Sequence, residues 1–160
     1  MHGMKTIKRL GSILTVLLSA GVIIAGCATG FNYSFDPAAG YTGLKSYNWV
    51  TTGTMGQTSD LVVKNVQYQA DQVLEKKGFR KTTENPDMLV SVNYENEIGI
   101  NQYGYQLRML TLDIQKADGK QLIWRGTAAG TINADAASGD LKSAIEGILK
   151  SFPPAKRSGQ

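Results

Sequence analysis

The stretch from Leu107 to Ile132 constrains the fold most. Leu110, Leu112 and Ile114 alternate with polar residues, Asp118-Gly119 follows, and Gln121-Leu-Ile-Trp-Arg-Gly126 runs back toward Ile132. Alternation with a period of two is the mark of a strand with one face buried. Asp-Gly between two such runs is a hairpin signal, because both residues tolerate positive φ. An antiparallel sheet is therefore expected, and the remaining elements must cover one of its faces.

Other segments extend that sheet. Phe31-Asn-Tyr-Ser-Phe35 alternates, Leu44 to Val50 reads as a second strand, and Met88, Val90, Val92 and Tyr94 mark one face of a third. Asp36-Pro37 and the Gly40–Gly43 region punctuate a turn. Residues 51–59 are a polar, glycine-containing connector, and Ile98 to Gly104 is expected as a hairpin apex or an extended loop. Two segments have helical spacing instead. Val62, Val66, Ala70 and Val73 form one stripe, widened by Val63 and Leu74. Ser59 or Asp60 caps its start, Lys76 and Lys77 suit its carbonyl end, and Gly78 suits a left-handed stop. Leu141, Ala144, Ile145, Ile148, Leu149 and Phe152 form the second stripe, ended by Pro153-Pro154. The expected fold is α+β, a two-layer sandwich of order β-β-α-β-β-β-α. About five mostly antiparallel strands carry both helices on one face. The expected domain spans residues 31–154, and residues 155–160 form a disordered tail.

The chain before residue 31 has a different character. Lys5, Lys8 and Arg9 precede Leu10 to Ile24, a run of 15 residues without charge. As a helix that run is about 22 Å long, short of the ~20 residues a membrane span needs, and fits the apolar region of a signal peptide. The run closes with Ile24-Ala25-Gly26-Cys27, which resembles the lipobox of bacterial lipoproteins. That resemblance implies cleavage between Gly26 and Cys27, a diacylglyceryl group on the Cys27 sulfur, and fatty acylation such as palmitate on the new amino group. The competing reading is a plain signal peptide or membrane anchor, with Cys27 a buried or free thiol. Residues 1–26 are thus expected to be removed, leaving residues 27–30 as a lipidated cysteine and short tether. Ala28 stands where aspartate commonly favours the inner membrane, so the resemblance implies the periplasmic face of a Gram-negative outer membrane. Met4 directly before the basic cluster leaves Met1-His2-Gly3 as an upstream start or an added remnant.

Composition narrows function mainly by exclusion. Of 17 basic and 13 acidic residues, the signal carries three basic ones, so the 134 residues after Gly26 have a net charge of +1. No Lys/Arg cluster with interleaved aromatics appears, and nucleic acid is not expected as a partner. The only histidine, His2, lies in the signal, and the only cysteine is Cys27. Histidine-based triads and His- or Cys-ligated zinc therefore lie outside this chain's means, and neither a metal nor another cofactor is expected.

The remaining candidates are modest. Glu95 and Glu97 are two apart, which on a strand places both on one face as a cation or acid/base pair; Asp113 is a third acid whose approach depends on the hairpin. Tyr94, Tyr103 and Tyr105 surround the Gly-, Asn- and Gln-rich apex, a surface for a sugar, peptide or protein. An ordinary solvated strand end and hairpin tip compete with both readings. Trp124 is expected in the core and Arg125 as an outward or cross-strand charge.

Several stretches in order resemble the bacterial lipoproteins of the domain of unknown function 4136 family: Trp49, Lys77-Gly78-Phe79, Asn85-Pro86-Asp87-Met88-Leu89-Val90, Leu110-Thr-Leu-Asp-Ile114, Asp118 to Gly126, and Leu149-Lys-Ser-Phe-Pro-Pro154. The resemblance implies fold and location and carries no catalytic residues. The resulting expectation is a membrane-anchored envelope lipoprotein, not an enzyme, acting as an interaction or structural module. Its partners are the membrane, through Cys27, and an envelope protein. A small-molecule or lipid-binding lipoprotein is the alternative, and a carboxylate-based hydrolase ranks third.

Overall fold

The computed structural model describes residues 29–50, 60–96 and 106–154. The signal run with Gly26 and Cys27, the 51–59 connector, the apex with Glu97, Tyr103 and Tyr105, and the 155–160 tail lie outside the described residues. Among the described residues the strands are β1 (Gly30–Phe35), β2 (Ser46–Trp49), β3 (Arg80–Lys81), β4 (Met88–Asn96), β5 (Gln106–Lys116) and β6 (Leu122–Asn133). The helices are α1 (Asp60–Lys76) and α2 (Gly139–Leu149). The strands form one sheet in the order β1-β6-β5-β4-β2-β3. The class is α+β with a mostly antiparallel sheet, as the patterns imply.

Two details differ from expectation. A sixth strand exists: Arg80 N–H donates to Lys45 O and Thr82 N–H to Tyr47 O, so β3 lies parallel to β2. Two exposed charged residues carry no alternation by which such a strand is recognised. Also, β2 runs parallel to β4, with α1 as the intervening crossover.

Local chemistry explains the helices. Val62, Val66, Ala70 and Leu74 are fully buried at strict spacings of four, whereas Val73 packs only partly. Gly78 takes φ 90°, its N–H donates to Glu75 O, and Phe79 N–H donates to Leu74 O. That is the paired bonding of a Schellman stop. The Ser138 hydroxyl accepts from Asp140 N–H and caps α2. Phe152, beyond the end of α2, is 1% exposed and sits in an aromatic group with Trp124, Phe79 and Tyr41. The β5–β6 turn also departs from the simple reading. Its left-handed residues are Gly119 (φ 91°) and Lys120 (φ 54°), and Lys116 N–H donates to Gln121 O across a longer loop.

Strand parity divides the sheet into two unlike faces. Met88, Val90, Leu110, Leu112, Ile114 and Trp124 belong to the buried core with the helices. Gly126 lets α2 approach closely: a Cβ there would lie 2.7 Å from Ile148 Cγ2 and 3.1 Å from Ile148 O. The opposite face is polar. Ser91, Asp113, Arg125 and Ser34 stand in register across β4, β5, β6 and β1, and Asn93, Thr111, Thr127 and Asn32 form the next row.

Candidate functional site

The open face holds the most ordered polar arrangement. Asp113 accepts from Arg125 Nε at 2.6 Å and from the second guanidinium nitrogen at 2.8 Å. Asn93 Nδ2 lies 3.4 Å from the same carboxylate, and the Thr111 and Thr127 hydroxyls meet at 2.9 Å. The Asp113 side chain is 8% exposed and that of Arg125 51%. The hydrogen bonds from Arg125 to Asp113 hold the guanidinium pKa above its usual value. Paired nitrogens matched to a carboxylate fork fix geometry as well as charge. Arg125 is thus the cross-strand charge expected, and Trp124 the core residue, at 1% exposed.

Two other carboxylates organise the β2 side. Asp71 on α1 accepts from Tyr47 Oη and Trp49 Nε1, both at 2.8 Å, and from Lys81 Nζ at 2.9 Å. One helical residue thereby ties α1 to β2 and β3. Burial, followed by the hydrogen bond to Asp71, pushes the Tyr47 hydroxyl pKa upward. Asp87 accepts from the backbone N–H of Lys45 and Ser46 at 2.9 Å and from Ser46 Oγ at 2.8 Å. The Lys45 amide first, then the Ser46 hydroxyl, lowers its pKa below the ordinary carboxylate value. A cavity of about 290 Å³ opens beside it, lined also by Gly40, Thr42, Leu44, Lys116 and Asp118. In the sequence Asp87 stands out only within the Asn85-Pro86-Asp87-Met88-Leu89-Val90 stretch of the family resemblance, and Asp71 falls outside the apolar stripe of its helix.

Of the candidate surface residues, Tyr94 and Glu95 lie among the described residues. Tyr94 and Glu95 are consecutive on β4, so they point to opposite faces. Tyr94 packs partly against the core, whereas Glu95 is ion-paired with Arg108 at 2.5 Å. Asp113 pairs in register with Ser91, four residues from Glu95 and about 13 Å along the strand, and its counter-charge is Arg125. The hairpin therefore does not bring Asp113 to Glu95. Their proposed companions Glu97, Tyr103 and Tyr105 lie outside the described residues. Among the described residues no group of three or more His, Cys, Asp or Glu side chains is placed to hold a metal ion.

The sequence profile of a domain of unknown function, DUF4136, matches residues 31–154, the span of this sheet and its helices. The chain belongs to the DUF4136 family. No curated protein matches it. Among solved structures, this DUF4136 chain is similar to a PDZ domain protein from Parabacteroides distasonis, with a TM-score of 0.56 and 13% identity over 80% of this chain. It spans only 36% of the length of that protein. PelC dodecamers from Paraburkholderia phytofirmans align with TM-scores of 0.51 and 0.50, each at 16% identity, over 76% of this chain and 96% of that one. At such identities the likeness is one of fold alone.

Proposed function

We propose that this DUF4136 protein is a lipid-anchored envelope lipoprotein whose domain works as an interaction or structural module close to the membrane. The observation that carries the reading is the run from Lys5 to Cys27, which ends three residues before β1 begins at Gly30. Three residues of extended chain reach about 10 Å, so a domain held at Cys27 stays against the bilayer. Two or more acyl chains, at about 0.8 kcal/mol per buried CH₂, make such attachment stable. Among the described residues no helix is long and apolar enough to cross a membrane, which is compatible with attachment by lipid. Ala28 favours the periplasmic face of the outer membrane in a Gram-negative cell.

The carboxylates support a non-catalytic role. Asp71, Asp87 and Asp113 each join two elements of the fold and accept from at least two donors. A ligand between sheet and helices is less favoured, because Leu112, Ile114, Ile145, Ile148 and Phe152 already fill that layer at 0–1% exposure.

Mass spectrometry of the native product tests the anchor. The expected result is an amino terminus at Cys27 carrying acyl chains, with Cys27→Ser leaving an unacylated precursor. An unmodified thiol, or ordinary processing of Cys27→Ser, refutes it.

A further inference from the structure

We propose that the β1 edge of the sheet is the membrane-contacting surface of the domain, with Phe31 and Phe35 resting in the interfacial layer of the bilayer. The inference builds on the lipid-anchor reading and adds which face of the fold meets the lipid. Phe31 is 42% exposed and Phe35 38% exposed, although both rings also pack inward. Phe35 stacks on Trp124, and Phe31 lies against α2 where Gly147 leaves room for it. Both occupy the same side of β1, four residues and about 13 Å apart. The strand carries no charged residue, and aromatic rings with partial exposure suit the boundary between water and lipid.

The length of chain before β1 selects the occupant. From Cys27 to Gly30 there are three Cα steps of about 3.8 Å, so β1 starts within about 11 Å of the Cys27 Cα. No other described element is that close to the anchor in sequence. The other large exposed apolar residues are Leu122 on β6, the strand paired with β1, and Leu61 and Tyr68 on α1, which packs against α2, β3 and β4. The sheet has a second edge, far from β1 in the strand order. That far edge ends in β3, whose Arg80 and Lys81 are exposed.

An edge strand also invites a second strand, and one hydrogen bond stands in its way here. Asp36 N–H donates to Ile123 O, so by alternation the N–H groups of Phe31, Tyr33 and Phe35 point away from β6. The central one, Tyr33 N–H, is already taken by the Asn32 side chain at 2.9 Å. An added strand would have to displace that amide. Unpaired backbone groups cannot enter hydrocarbon, so the strand rests at headgroup depth, with the two rings as its deepest points.

Photocrosslinking of the full-length lipoprotein in its own envelope tests the assignment. p-Benzoylphenylalanine is placed singly at positions 31, 35, 61 and 68, and each variant is irradiated and its mass measured. Phospholipid adducts at 31 and 35, several-fold above those at 61 and 68, are expected. Adducts of doubled protein mass at 31 or 35 mean that a second copy covers the edge, and adducts to another protein mean a different partner; either overturns the proposal. Equal lipid labelling at all four positions, or no labelling at 31 and 35, also overturns it. The same spectra show whether Cys27 is acylated, so loss of the anchor and misplacement of the edge give different results.

Discussion

Deleting either partner of the Asp113–Arg125 pair removes the same two hydrogen bonds, yet the two deletions are expected to differ in cost. Asp113→Ala leaves a guanidinium whose side chain is 51% exposed and already wet. The loss is then that of an ordinary hydrogen-bonded contact, about 1 kcal/mol. Arg125→Ala leaves a carboxylate whose side chain is only 8% exposed, with Asn93 Nδ2 at 3.4 Å as its remaining side-chain donor. An uncompensated buried charge costs about 3 kcal/mol. The double alanine variant has no stranded charge and should lose only about 1 kcal/mol, giving a coupling of about 3 kcal/mol. That lies under the gross attraction of two unit charges 4 Å apart near a protein surface, about 4 kcal/mol. Urea unfolding at neutral pH, followed by circular dichroism, measures all four corners of the cycle. In thermal melts Arg125→Ala should fall by about 10 °C. The reasoning fails if Asp113→Ala costs as much as Arg125→Ala, or if the two losses simply add.

Other outcomes follow from the same structure. Gly126→Ala places a Cβ 2.7 Å from Ile148 Cγ2 and 3.1 Å from Ile148 O, and should lower stability by about 2 kcal/mol in urea unfolding. Asp71→Ala should cost more than Tyr47→Phe, about 3 against about 1 kcal/mol, because only the former strands the fully buried Tyr47 hydroxyl. Asp87 has a folded pKa below 3.8, so its contribution is present above the unfolded value and is lost as pH falls through the folded one. Stability of wild type and Asp87→Asn, compared across pH 2 to 7, should therefore differ most near neutrality (about 2 kcal/mol) and converge in acid.

The regular parts of the fold were legible because burial leaves a period in the sequence. Val62, Val66 and Ala70 announce α1, and Leu110, Leu112 and Ile114 announce the core-facing side of β5. The short β3 was not legible, since Arg80 and Lys81 are held by the backbone of β2 and expose both side chains. The turn after β5 was placed one residue early, because Asp118-Gly119 signals the chemistry of the turn and leaves its register open. The polar ties were hidden for a different reason. Tyr47, Trp49, Asp71 and Lys81 converge only after α1 crosses over, and nothing local marks Asp71 as their common acceptor. By contrast, the divergence of Tyr94 and Glu95 is readable from strand parity alone.

The pairing of β1 bears on how such a chain matures. Gly30 lies opposite Ala129, so the first strand finds its sheet neighbour on this side only in β6, the last strand in chain order. A chain threaded across a membrane from its amino terminus presents β1 first and β6 almost last. That first strand must wait, unpaired, for nearly the whole domain to emerge, and its docking closes the assembly.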